Sequence, residues 1–236
     1  MSKVIGFIPA RGGSKEIPRK NIHLLNGKPL LSYTVAAALE SGVCDSVVVS
    51  SEDEEILNTA MSHGADTDQR PPALAQDDST VDDVLAEYID RTGLDDQSVI
   101  MLLQPTSPLR QAVHIKDSLA WFRENAEHQS HAQILMSVYQ IDSRFVYAYQ
   151  EDGSLMKPIC DWASAYQHRQ NLPNIYLPNR AIYIFTVGAF LEERKIPKNR
   201  IVPFVMSEEE SVDIDTEEDM RRTSYYLMGM PERRTL

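Results

Sequence analysis

The sequence predicts an α/β fold, a Rossmann-like, mainly parallel sheet with helices on both faces, and three observations carry that prediction. Short apolar runs that read as buried strands alternate with helix-length segments bounded by capping residues. A turn rich in glycine and cations directly follows the first of these runs. A length of 236 residues, 42% of them hydrophobic, is enough to bury one core, so a single domain over 1–236 is the default.

Val4-Ile5-Gly6-Phe7-Ile8 is an apolar run ended by Pro9, a strand feeding a loop. Residues 29–41 form a helix with Pro29 at its first position and Gly42 beyond its end. Val47 to Val49 is a second strand, Asp53 to His63 a helix closed by Gly64, and Val99 to Leu103 a third strand. This order implies parallel strands joined by crossover helices. A further helix runs from about Gln111 to Glu124. Ala132 to Tyr149 then alternates apolar and polar residues and meets Asp152-Gly153, a hairpin turn signal, so an antiparallel excursion is expected there. The α/β pattern resumes with a strand at Ala181 to Phe185, a short helix at 187–193 and a strand at Ile201 to Val205. A helix from Thr216 to Leu227 follows, capped by Asp215 or Thr216 with acids in its first turn.

Composition excludes several classes of function. A formal net charge of −12 and a pI near 4.9 repel phosphate overall, so neither nucleic acid nor an anionic membrane is an expected partner. No apolar run approaches the ~20 residues of a membrane helix. The N-terminal stretch lacks the order of parts of a signal peptide, and Cys44 and Cys160 have no metal-ligand spacing. A soluble, cytoplasmic protein is therefore expected. The six histidines show no metal or triad spacing.

Five constellations carry chemistry. Pro9-Ala10-Arg11-Gly12-Gly13-Ser14-Lys15, continuing to Arg19-Lys20-Asn21, concentrates cations just after the first strand, where open α/β sheets bind ligands and glycines let amides approach phosphate. It is neither a Walker loop nor GxGxxG, and on charge alone a solvated basic turn fits equally. Asp213-Ile214-Asp215 places two carboxylates on one side of an extended segment, within reach of one hard cation such as magnesium, although Asp215 as a helix cap also accounts for it. Gln104-Pro105-Thr106-Ser107-Pro108 ends the third strand, where Gln104 offers both donor and acceptor, or the prolines only terminate the strand. Arg70 with Gln76, Asp77 and Ser79 is a fourth, and a solvated charged turn is its alternative. Arg169 with Gln170, Asn179 and Tyr183 is the fifth; arginine suits two-point pairing with a carboxylate, while Tyr183 fits a core position equally well.

These strings bring a resemblance into view. IPARGGSKEIPRKNI followed by NGKPLLSYT, RPPALAQDDST at 70–80, LLQPTSPLR at 102–110, RQNLPNIYLPNRAIYIF at 169–185 and SVDIDTEEDM at 211–220 resemble the CMP-sialic acid synthetases, or acylneuraminate cytidylyltransferases. The likeness runs from Ile8 to about Asp219. It implies the nucleotide-diphospho-sugar transferase type of fold and a cytidylyltransferase that couples CTP to a nonulosonic acid with release of pyrophosphate. It assigns nucleotide contacts to Ala10, Arg11, Gly12, Gly13, Ser14, Lys15, Asn21, Arg70 and Ser79. Gln104, Arg169 and Tyr183 fall on the sugar side. Arg11, Lys15, Lys20, Asp213 and Asp215 carry the catalysis, the two aspartates as magnesium ligands. The segment at about 132–178 resembles the family's dimerisation insert, so a homodimer is expected and Arg169 is expected to act in the neighbouring subunit.

The chain also departs from the pattern. Glu16 stands where glycine or a basic residue is usual, Asn179-Arg180 where Asn-Gly is usual, and Asp142-Ser143-Arg144 where His-Pro is common. The last two lie on the sugar side and leave open whether the acid is N-acetylneuraminic, legionaminic or pseudaminic. A transferase for Kdo or a sugar phosphate, or a catalytically silent nucleotide-binding homologue, are the rival readings.

Overall fold

Strand β1 (Val4–Pro9) is buried on both faces, as a strand lying between two helical layers must be. Val4 and Ile8 enter one core and Ile5 and Phe7 the other, following the two-residue period of a strand. The computed structural model describes residues 2–14, 16–128, 132–161, 163 and 166–229. A two-stranded ribbon, β2 (Leu24–Leu25) and β3 (Lys28–Pro29), follows β1. The main sheet then continues with β4 (Ser46–Ser51), β5 (Asp66–Gln69), β6 (Val99–Leu102) and β7 (Ile134–Ile141). A second ribbon, β8 (Tyr149–Asp152) and β9 (Leu155–Pro158), precedes β10 (Ile175–Thr186) and β11 (Ile201–Met206).

Seven strands form the central sheet in the order β11-β7-β10-β6-β1-β4-β5. β5, β4, β1 and β6 run parallel, β10 is antiparallel to both its neighbours, and β11 is parallel to β7. Helices α1 (Leu30–Ser41), α2 (Glu54–Ser62) and α4 (Ala112–His128) supply Leu31, Val35, Ile56, Ile115 and Leu119 to the core on one face. Helices α3 (Val81–Thr92) and α5 (Val187–Leu191) supply Leu85, Tyr88 and Phe190 to the other, where Phe7 and Tyr88 meet with ring centroids 4.9 Å apart. A third cluster joins Ile17, Leu25 and Leu30 to Ile214 and to Met220 of α6 (Glu217–Gly229), fastening the loop after β1 to the C-terminal helix.

The expected α/β order holds, with four differences. Pro29 sits one position outside α1, because its ψ of 137° is extended and the helix begins at Leu30. Strand β5 reads DTDQ, too polar to register as a strand; it lies at the sheet edge, where only Asp68 is buried. Helix α3 follows the RPPALAQDDST string and is opened by a capping box: the Asp83 amide donates to Thr80 Oγ1 at 3.2 Å and the Thr80 amide to Asp83 Oδ2 at 2.9 Å. Finally, the excursion expected over about 132–178 divides. Its first strand, β7, lies inside the central sheet between β11 and β10, and only the β8–β9 hairpin and its flanks stand apart from that sheet.

One irregularity bears on the site. Pro178 pairs with Val138 and Tyr183 with Met136, so four residues of β10 lie opposite Ser137 alone on β7 and three are extra. Asn179, Arg180 and Ala181 lie in this bulge, which re-aims the strand next to the cleft.

Candidate active site

The loop after β1 is held against the ends of β4 and β5. The Ala10 amide donates to the Ser50 carbonyl at 2.9 Å and the residue is fully buried. The Gly12 amide donates to Glu52 Oε1 at 2.7 Å, while Glu52 Oε2 accepts from Arg70 Nε and Nη2 at 3.2 and 2.9 Å. One carboxylate therefore ties the glycine turn to the buried Arg70. A Cβ at Gly12 would lie 2.7 Å from Asp53 Oδ2, and Asp53 is fixed by capping α2 and by Arg19, so glycine is required by close approach. Asn21, itself buried, donates to the Arg11 carbonyl at 2.9 Å, and the Arg11 guanidinium pairs with Asp77 at 3.6 Å. The Ser79 hydroxyl donates to the Ala73 carbonyl at 3.0 Å.

The loop after β6 is built around Arg110, which has no exposed surface. Its Nη1 donates to the Gln104 carbonyl at 3.1 Å and the Ala181 carbonyl at 2.8 Å, while Nε and Nη2 have no partner. Burial without a counter-charge pulls its pKa down to about 9. Arg110 thus joins the loop that presents Gln104 to the β10 bulge that presents Arg180.

Asp213 and Asp215 arrive by a backbone bond from the Ile214 amide to the Thr106 carbonyl, 2.8 Å, with Ile214 buried between them in the third cluster. The expected alternation is realised: the apolar residue faces in and both carboxylates face the cleft. Lys20 Nζ donates to the Ile214 carbonyl at 2.7 Å and to Asp215 Oδ1 at 2.9 Å, closing a contact between residues nearly two hundred positions apart. Burial raises the pKa of Asp213, and Asp215 adds to the rise; a side-chain hydrogen bond with Thr106 and the charges of Arg180 and Lys20 oppose it. Asp213 Oδ1 is buried without a hydrogen-bond partner.

Among the described residues no group of three or more histidine, cysteine, aspartate or glutamate side chains could hold a metal. Magnesium does not require one: it is commonly held by one or two carboxylates, with water and phosphate oxygens completing its octahedron. The unpartnered Oδ1 of Asp213 beside Asp215 fits that role.

These groups border one cleft of about 590 Å³ at the carboxyl ends of the parallel strands. Arg11, Ser14, Lys20, Asn21, Arg70, Ser79, Gln104, Asp213 and Asp215 line it together. A second cavity of about 480 Å³ adjoins it, walled by Leu102, Ile134, Met136, Tyr183, Ile196 and Ile201. Tyr183, expected on the sugar side, lies there, and burial raises its hydroxyl pKa. Ala10 packs in the core, and Gly12 shapes the turn by approaching Asp53; a Cβ at Gly13 would meet nothing within 4 Å. Arg169 is exposed on the segment between β9 and β10, where its charge acts on Asp142, and it is not among the described residues lining either cavity. Lys15 lies outside the described residues.

Glu52, Arg110 and Arg180 were not singled out as site residues. Glu52 follows a strand end as part of Ser51-Glu52-Asp53, a faint signal. Arg110 closes LLQPTSPLR, and an arginine after two prolines reads as surface. Arg180 stood only as a departure from Asn-Gly.

The fold and cleft together define a class: an α/β protein with a polar cleft at the carboxyl ends of a parallel sheet, between a cationic glycine turn and a carboxylate pair. Residues 5–230 match the cytidylyltransferase family, and the chain belongs to that family. It is 32% identical to an N-acylneuraminate cytidylyltransferase of Streptococcus agalactiae over 92% of its own length and 51% of that protein. The chain therefore spans about half the length of that streptococcal relative. It is 31% identical to a CMP-N,N'-diacetyllegionaminic acid synthase of Legionella pneumophila, covering 94% of each chain. Identity to a pseudaminic acid cytidylyltransferase of Campylobacter jejuni is 34%, over 92% of this chain and 93% of that one. In fold it is similar to a CMP:2-keto-3-deoxy-manno-octonic acid synthetase complexed with CTP, with a TM-score of 0.71 at 16% identity over 96% of this chain and 99% of the other.

Proposed function

We propose that this protein transfers the cytidylyl group of CTP to the anomeric hydroxyl of a nonulosonic acid, giving the CMP-sugar and pyrophosphate. The observation that carries the reading is the convergence of Arg11, Ser14, Lys20 and Asn21 with Asp213 and Asp215 on one cleft. The hydroxyl attacks the α-phosphorus in line with the departing pyrophosphate, so no protein nucleophile is needed. Catalysis then rests on positioning and on charge held in place before the reaction.

In this reading Arg11 and Lys20 face the triphosphate, with Lys15 expected beside them, and Arg70 and Ser79 border the nucleotide. Asp213 and Asp215 would hold magnesium, which would supply charge to offset the negative phosphate oxygens. Gln104 and Tyr183 border the sugar. The three relatives act on different acids at nearly equal identity, 32%, 31% and 34%, so relatedness does not choose among N-acetylneuraminic, diacetyllegionaminic and pseudaminic acid.

We also propose a homodimer formed through the hairpin region, supported by exposed Leu155, Met156, Ile159 and Tyr166 there. Arg169 on the same region would then reach the partner's cleft. A cytoplasmic setting, where CTP is made, suits the two free thiols. No helix among the described residues is long and apolar enough to cross a membrane.

The test is release of pyrophosphate from CTP with each of the three acids in turn, with and without magnesium. One acid should be turned over in a magnesium-dependent way. Replacing Asp213 by alanine should lower that turnover by about 10²-fold or more while the chain stays folded. Undiminished turnover in the variant, or none with any acid in the parent protein, refutes the assignment.

A further inference from the structure

We infer that Arg180 is the receptor for the sugar's carboxylate, and hence a residue that selects acidic sugars; this rests on the proposed transfer to a nonulosonic acid. Arg180 has φ of +60°, the left-handed region that glycine enters freely and a side chain enters only at a cost. The bulge of β10 imposes that conformation, and a buried network pins it. Asn179 Oδ1 accepts from Ser137 Oγ at 2.5 Å and from the Ala181 amide at 3.1 Å, and Asn179 Nδ2 donates to Ser211 Oγ at 2.8 Å. Ser137 Oγ in turn accepts from the Ile182 amide at 2.7 Å. Arg110 holds the next carbonyl, that of Ala181. A position so firmly held in a glycine conformation, yet carrying the longest cation, fixes the point from which that cation leaves the backbone.

That point lies at the boundary of the two cavities. Arg180 lines both, and the only other described residues that do so are Gln104 and Val81. The location matches a constraint of the chemistry. In a 2-keto acid sugar the carboxylate and the attacking anomeric hydroxyl are carried by the same carbon. When the hydroxyl faces the α-phosphate in the first cavity and the rest of the sugar fills the second, the carboxylate must lie at their junction. Arg180 is the only described cation bordering both cavities.

The other cations have different settings. Arg70 is bound by two nitrogens to Glu52 and Lys20 is bound to Asp215, while Lys198 borders the second cavity alone. Arg180 makes an ion pair with Asp213 at 3.5 Å, longer than a good hydrogen bond, and its side chain is 65% exposed. Its planar fork is shaped for two parallel bonds to a carboxylate. Gln104 at the same junction supplies a neutral donor and acceptor for neighbouring hydroxyls.

The experiment compares Arg180→Gly and Arg180→Lys with the parent protein in steady-state pyrophosphate release, varying the acid at saturating CTP and CTP at saturating acid. The glycine variant suits the left-handed backbone, so its unfolding midpoint should not fall. Its KM for the acid should rise about tenfold or more, with KM for CTP changed less than about twofold, and lysine should lie between. The parent's preference for the acid over the matching carboxamide sugar should collapse in Arg180→Gly. An unchanged KM for the acid, an equal loss for CTP, or a retained preference for acid over amide overturns the assignment. So does the same selective loss appearing only in Arg169→Ala or Lys198→Ala. If the parent turns over none of the three acids, the proposed function itself fails; turnover in the parent with an unaffected Arg180→Gly overturns the role of Arg180 alone.

Discussion

At the scale of single residues the site is a set of fixed charges whose neighbours decide what each does. Glu52 is spent on organising the loop, gripping the Gly12 amide and Arg70 at once. Asp213 is placed at a cost, since burial holds its pKa above the usual carboxylate range. A carboxyl whose folded pKa is raised favours the folded state most when protonated; its contribution is intact below the unfolded pKa and is lost as pH rises through the folded value. Asp213→Asn removes that cost at pH 7. Its unfolding midpoint should therefore exceed the parent's at pH 7, with the gap closing as pH falls below the ordinary carboxylate range, even as turnover is lost. Equal midpoints throughout would mean that Lys20 and Arg180 fully offset the burial. The aspartate pair was legible in the sequence because alternation around one apolar residue is a local property. The orphaned Oδ1 and the raised pKa were not, because they depend on the Thr106 loop and on charges far away in the chain.

At the scale of elements, capping and periodicity account for most helices: Gly42 at φ of +66° ends α1, Asp53 caps α2, and Thr80 with Asp83 opens α3. Strand β7 shows where local reading fails. Its alternation predicts an antiparallel excursion, and β7 is indeed antiparallel to β10, but it lies inside the central sheet between β11 and β10 with Leu135, Ser137 and Val138 buried. Ser137 is the reason for the mixed pattern, since it is a buried partner of the β10 bulge rather than a solvent-facing residue. The β8–β9 hairpin, by contrast, was marked by Asp152-Gly153, with Gly153 at φ of +65°. It exposes Leu155 and Met156 at 73% and 56%, large apolar side chains that a second copy of the chain would cover. The double substitution Leu155→Asp with Met156→Asp should convert a dimer to a monomer in sedimentation velocity at micromolar concentration, with the unfolding midpoint of the monomer little changed. A variant that sediments as the parent does removes the hairpin from the interface.

At the scale of the whole molecule, a net charge of −12 coexists with a cleft bordered by Arg11, Lys20, Arg70 and Arg180. Local fields fall off within about 10 Å at ordinary ionic strength, so the cleft can attract an anion that the protein as a whole repels. Its walls come from the ends of β1, β5 and β6, the start of α3, the β10 bulge and the segment before α6, and a ligand seated there bridges all of them. Binding that favours only the folded chain stabilises it by about 2.7 kcal/mol at 100 times the dissociation constant. CTP with magnesium should therefore raise the unfolding midpoint by several degrees, CTP with a chelator should raise it less, and GTP should leave it nearly unchanged. An equal shift with GTP would remove the cytosine preference from the proposed function.

The sequence by itself determined most of the strand and helix order, β5 and α3 apart, together with the cationic glycine turn and the aspartate pair, because each is written in residues no more than about ten positions apart. Their meeting was decided only by the tertiary structure, through the Lys20 to Asp215 contact and the Ile214 to Thr106 bond. The place of β7 in the central sheet, the three extra residues of β10 and the position of Arg180 between two cavities were likewise decided there. The physical reason is that register, bulges and cavity walls are set by which strands become neighbours, a property that local propensity does not encode.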